Sequence, residues 1–154
     1  MSPKDPQGRQ RAHYAALEKM YHSAPINQFF EPIVQVREGE ATVTMPVHEK
    51  FFHAAAAVHG SVYFKMLDDA AFFAAASLED ELMVLTASFT TYLTRPVTEG
   101  TLRADGRVVN QTRTQFIVEA IVHDDQDREV GRGSGVFVRG KITLAQIPGY
   151  RLEE

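Results

Sequence analysis

The sequence has no cysteine. Disulfides, thiolate metal sites and cysteine nucleophiles are therefore excluded, and a reducing cytoplasm is the expected location. It also lacks an excess of positive charge: 16 Lys and Arg stand against 20 Asp and Glu, for a formal net charge of -4. A nucleic-acid partner is not expected, because such affinity comes largely from neutralised phosphates. No apolar run approaches the ~20 residues of a membrane-spanning helix, so no membrane association is expected. The opening MSPKDPQGRQR has no apolar core of the secretory-signal kind. Internal repeats and low-complexity linkers are absent too. What is present is ordinary: 154 residues, 44% hydrophobic and 23% charged. That is enough for a single domain over 1–154 with a real core.

Periodicity divides the chain. Ala12, Ala15, Ala16, Leu17, Met20 and Tyr21 recur at roughly helical spacing, predicting an N-terminal helix over about 10–23 that Pro25 stops. Phe29 to Val36 and Ala41 to Val47 read as two strands around a Glu38-Gly39-Glu40 turn. A long apolar helix is expected from about His59 to Ser77. Beyond it the period changes to two, with strands over Met83–Tyr92, Leu102–Val109, Gln115–Val122 and Glu129–Arg139. The tail, 141–154, reads as irregular. Strands joined by tight turns imply an antiparallel sheet and the α+β class, with the long helix covering one face of about six strands.

That helix poses the chemical question. It is apolar nearly all the way round, yet it carries Asp68 and Asp69 with Lys65 one turn earlier. A buried carboxylate is costly unless paired, hydrogen-bonded or protonated. The helix start offers free backbone N–H groups and the positive end of a dipole, suited to a developing oxyanion. Gly60, without a side chain, allows a carbonyl to approach its backbone closely. A carboxylate can serve as base or nucleophile. His59 and Asp68 are nine residues apart, ~13 Å at ~1.5 Å per residue, too far to meet at one carbonyl within one chain.

His59-Gly60-Ser61, Leu67-Asp68 on the same helix, and Thr86, Phe89, Arg95 and Pro96 in the pattern T-x-x-F-x-x-x-x-x-R-P together resemble the hotdog-fold acyl-CoA thioesterases. The likeness is to the phenylacetate-degradation (PaaI-like) branch, related to the 4-hydroxybenzoyl-CoA thioesterases, and covers about 29–139. The resemblance implies a hotdog fold, hydrolysis of an acyl-CoA and no metal or redox cofactor. It also implies a homodimer, or a tetramer built as a dimer of dimers, whose sites take Gly60 from one chain and Asp68 from the other. By the same resemblance Thr86 lies near the attacking water, and His53 replaces an asparagine that helps hold carbonyl or water. Ser61 replaces a second glycine and keeps its backbone N–H, while His59 is an orienting residue. Arg113 matches a commonly basic position suited to the phosphates of coenzyme A, with Arg95 and Arg132 as further candidates. Phe72, Phe73, Phe51, Phe52 and Phe89 are available to line an acyl pocket, though core packing suits most of them.

Each residue also has a purely structural reading. Asp68 can be an acid paired with Lys65, Asp69 a structural ion pair, Thr86 a strand threonine and His53 a loop histidine. His48 to His53, H-E-K-F-F-H, is one residue too long for the zinc-binding H-E-x-x-H helix. Gly131 to Gly135, G-R-G-S-G, lies in a strand, where glycines permit bending or close packing. Two other functions remain open: a non-catalytic acyl-CoA or lipid-binding module, and a hotdog hydratase or dehydratase.

Overall fold

A computed structural model describes residues 5–153. Helix α1 spans Pro6–Ser23; the Asp5 side chain accepts a hydrogen bond from the Gln7 N–H, and Pro6 occupies the first turn, where a missing N–H costs nothing. Ala24, preceding a proline, is extended, and α1 ends there. A second helix, α2 (Pro25–Phe30), begins immediately. This corrects the expected strand from Phe29: Pro25 both stops one helix and starts the next, so Phe29 and Phe30 are helical and the first strand begins later.

The six strands are β1 (Ile33–Arg37), β2 (Glu40–Pro46), β3 (Leu82–Leu93), β4 (Thr101–Gln111), β5 (Gln115–His123) and β6 (Glu129–Thr143). They form one sheet in the order β1-β2-β4-β5-β6-β3, with every adjacent pair antiparallel. The last strand runs further than its apolar pattern suggested, to Thr143, and a short 3-10 turn follows at Leu144–Gln146. Helix α3 (Gly60–Ala76) lies between β2 and β3 in sequence and packs on one face of the sheet. This long helix wrapped by a six-stranded antiparallel sheet is the hotdog arrangement.

Packing explains the register. Met66, Leu67, Ala70, Ala71 and Ala74 of α3 are buried with Val43, Met45, Ala104, Phe116, Val118 and Ala120 of the sheet. Helix and sheet approach closely at Gly106, where an added Cβ would lie 2.4 Å from the Ala70 carbonyl oxygen. In β6, Gly133 and Gly135 leave room for the Phe89 ring of β3, which an added Cβ would meet at 2.4 and 2.5 Å. The glycine-rich stretch is thus a packing device.

Helix α1 packs along β1, and its Ala16, Leu17 and Met20 join the same core. Buried His13 ties three segments together. Its Nε2–H donates to the Ala76 carbonyl at 2.9 Å, since a carbonyl only accepts, and Nδ1 therefore accepts from the Tyr150 hydroxyl at 2.7 Å.

Candidate active site on the central helix

The start of α3 is capped by its own flanking histidine. His59 is extended, and its Nδ1 accepts from the Ser61 N–H at 3.0 Å and lies 2.8 Å from the Ser61 hydroxyl. The Val62 N–H is satisfied by the His59 carbonyl at 3.0 Å. The Gly60 N–H, at the first helical position, makes no hydrogen bond among the described residues. A donor with no intrahelical partner, at the positive end of the dipole and without a shielding Cβ, suits an anionic oxygen. His53 stands beside this end, its ring 6.4 Å from that of His59, and its Nδ1 accepts from the Ala55 N–H at 3.0 Å.

Two turns along α3 the adjacent aspartates separate into different environments. Asp69 Oδ2 accepts from Lys65 Nζ at 2.7 Å and from the Tyr21 hydroxyl at 2.7 Å. That ion pair is largely enclosed, with side-chain exposures of 12% for Lys65 and 18% for Asp69, so charge neutralisation offsets its burial. Burial, followed by the Asp69 charge and hydrogen bond, pushes the Tyr21 hydroxyl far above its ordinary value, so it remains a donor.

Asp68 is half-buried and has no ion-pair partner among the described residues. Its Oδ1 accepts from the Thr86 hydroxyl at 2.9 Å, and Oδ2 accepts from nothing among the described residues. Desolvation raises the Asp68 pKa above the usual carboxylate range; the Thr86 hydrogen bond opposes this, the Asp69 charge adds to it and Lys65 opposes it. A carboxylate that is desolvated, singly hydrogen-bonded and less acidic than usual is chemically equipped to take a proton. Thr86 sits where the β3–β6 register slips between Thr86 and Ser88, and such irregularities re-aim strand side chains.

Asp68 and Thr86 thus come together, as do Gly60, His59, Ser61 and His53, but the two groups occupy different parts of one straight helix. The candidate phosphate ligands divide similarly. Tyr63, in the first turn of α3, donates to the Arg95 carbonyl at 3.0 Å. Arg113 lies toward the other end of α3, its carbonyl accepting from Arg139, which pairs with Glu79 just beyond that helix. The side chains of Arg95 and Arg113 are exposed and make no ion pair among the described residues, whereas Arg132 is held by Glu129. Phe72 is half-buried against Phe73 and Phe137, with ring centroids at 5.0 and 6.4 Å.

Sequence reasoning missed Tyr21, and of the phenylalanines it offered as pocket lining, Phe72 and Phe73 border one cavity. A cavity of about 610 Å³ opens beside Asp68, bounded by α3, the turn between α1 and α2, and residues 147–149. The one available signal was that an acid on an apolar helix needs donors; nothing local to Asp69 pointed to a tyrosine 48 positions away.

Residues 56–131 match the family model described as the thioesterase superfamily. Among curated proteins, one of Saccharolobus solfataricus, provisionally named an esterase, is 25% identical over 132 residues, covering 82% of this chain and 94% of its own. A second, from Thermoplasma volcanium and likewise provisionally named, is 25% identical over 108 residues, covering 70% and 80%. The PaaI protein of the E. coli phenylacetic acid degradation operon superposes with a TM-score of 0.78 at 21% identity, over 88% of this chain and 98% of that one. A Haemophilus influenzae thioesterase superposes with a TM-score of 0.71 at 16% identity, over 78% and 85%. At these identities the structures establish the fold, while the family match and the esterase-named relatives support hydrolase chemistry of the thioesterase class.

Proposed function

We propose, for a chain that carries the thioesterase-superfamily match over residues 56–131 and the hotdog fold, that it hydrolyses an acyl-CoA thioester to the free acid and coenzyme A. The observation that carries this reading is Asp68: a desolvated carboxylate of raised pKa, held by Thr86 through one oxygen and beside a cavity. In this scheme Asp68 removes a proton from water, whose oxygen bonds to the carbonyl carbon. The resulting oxyanion is stabilised by the Gly60 N–H. The C–S bond then breaks, and the proton returns to the departing sulfur.

Gly60 and Asp68 are too far apart along α3 to serve one carbonyl, so the functional unit in this reading is an antiparallel homodimer. The outer edge of β3 supports it. Among the described residues that strand pairs with β6 on one side only, and it carries exposed Leu85, Tyr92 and Leu93. A long apolar edge of this kind calls for a partner. Head-to-tail pairing would also bring Arg95 of one chain toward the Arg113 end of the other, where the phosphates of coenzyme A would be met. Homotetramer formation by dimer pairing, and a role for His53 in holding carbonyl or water, belong to the same reading.

The test is thiol release from a panel of acyl-CoAs; the protein contributes no thiol background because it has no cysteine. Asp68→Asn and Gly60→Pro are each expected to lose activity by ~100-fold or more. Unfolded and refolded together in equal amounts, they should regain about a quarter of the wild-type activity, because half the dimers would be mixed and each would hold one intact site. A wild type that releases no thiol from any substrate ends the hydrolase reading. Active wild type without complementation ends the shared site.

A further inference from the structure

The cavity beside Asp68 has a distinctive lining. Met20, Ala24, Phe72, Met83, Ile147 and Pro148 supply apolar wall. Apart from Asp68, whose Oδ2 accepts from nothing among the described residues, its polar side chains are already engaged. Tyr21 and Lys65 both donate to Asp69 Oδ2, Asn27 Nδ2 donates to the Tyr21 carbonyl at 2.7 Å, and the Ser23 hydroxyl donates to the Met20 carbonyl at 3.1 Å. Lys65 Nζ is further covered by the rings of Tyr21 and Phe30, with centroids at 5.5 and 5.2 Å. Asn27 Oδ1 lacks a partner among the described residues but is itself buried from solvent, so it does not present an acceptor to the open cavity.

We infer that this cleft takes the acyl group of the thioester and selects an unsubstituted hydrocarbon chain, with the α1–α2 turn and residues 147–149 as its specificity-determining walls. The inference rests on the hydrolase reading above. Its volume of about 610 Å³ falls within the range of small-molecule sites. Every methylene transferred there from water adds about fourfold to affinity. A distal hydroxyl or carboxylate would surrender its hydration, and the acceptor left open, Asp68 Oδ2, is the one that the hydrolase reading assigns to the attacking water. Two of the three walls lie outside residues 56–131, so chain preference is carried by segments that the family match does not include.

The experiment compares kcat/KM for acetyl-, decanoyl- and 10-hydroxydecanoyl-CoA. The wild type should prefer decanoyl over acetyl by ~30-fold or more, and over the hydroxylated chain by ~10-fold or more. Ala24 is half-buried and has φ -62° and ψ 136°, which any residue adopts, so Ala24→Phe narrows the cleft without straining the backbone. This variant should lower the decanoyl-to-acetyl ratio by ~10-fold or more, with its melting temperature followed as a control on folding. A folded Ala24→Phe protein with the wild-type ratio, or a wild type that favours the hydroxylated chain, overturns the inference.

Binding is read independently of turnover. The chain has no tryptophan, so Phe72→Trp introduces a single reporter. Non-cleavable S-decyl-CoA should shift its emission to the blue, and coenzyme A alone should not. A shift without thiol release from any substrate would leave the cleft standing and remove the hydrolase reading. Thiol release with a silent reporter would do the reverse.

Discussion

Replacing Asp68 by asparagine should separate activity from stability in opposite directions. The amide keeps the volume, and its oxygen can still accept from the Thr86 hydroxyl, which now lies 2.9 Å from Oδ1. What disappears is the capacity to take a proton. General acid–base groups typically contribute ~10²- to 10⁴-fold. At ~1.36 kcal/mol per decade, the transition state should lose about 2.7–5.4 kcal/mol. Stability should move the other way. Burial raises the Asp68 pKa, so the folded state binds this proton more tightly than the unfolded chain. Folding is then favoured at low pH, and a penalty develops as pH rises through the unfolded pKa, becoming complete above the folded one. Asparagine carries no charge, so at pH 7 to 8 the variant should melt at or above the wild-type temperature. By the same sign, kcat/KM in the wild type should fall on the acid side with a midpoint above the ordinary aspartate value, because the base must be ionised. The assays are thiol release against pH and calorimetric melting. Full activity in a folded variant would refute Asp68 as the base. A lower melting temperature would show that its charge is a structural asset and refute the account of its burial.

Gly60→Pro should preserve the fold and lower kcat by ~10²- to 10³-fold, the effect of losing one oxyanion donor. Proline is favoured at the first helical position, and His59, with φ -64° and ψ 143°, already has the extended form required before proline. Circular dichroism and single-turnover kinetics would check both halves. Tyr21→Phe removes a donor from Asp69 while Lys65 remains, so urea unfolding should show a loss of about 1.5 kcal/mol. Gly106→Ala should cost about 1–3 kcal/mol, because its Cβ would meet rigid α3 backbone at 2.4 Å. An unchanged denaturation midpoint would mean that helix and sheet are less tightly apposed than they stand here.

Much of the fold was legible without coordinates. Phe116, Val118, Ala120 and Val122 alternate along one face, and all four are buried in β5. The all-round apolarity of Val62 to Ala76 required a helix covered by sheet, which α3 is. The spacing from His59 to Asp68 also established that two candidate groups on one helix lie far apart. Short-range order is readable because dihedral preference and side-chain period act between near neighbours.

Other features were decided only by the packed molecule. Adjacent Asp68 and Asp69 are chemically identical in sequence, yet one meets a threonine 18 positions ahead and the other a tyrosine 48 positions behind. Nor did local pattern show that Pro25 opens a second helix, that β3 is an edge strand, or that the α1–α2 turn and the tail wall a cavity beside Asp68. The ~100° turn per helical residue directs the two aspartates toward different elements. Which elements stand there depends on how helices and sheet share one core, a sum over distant contacts that no local window contains.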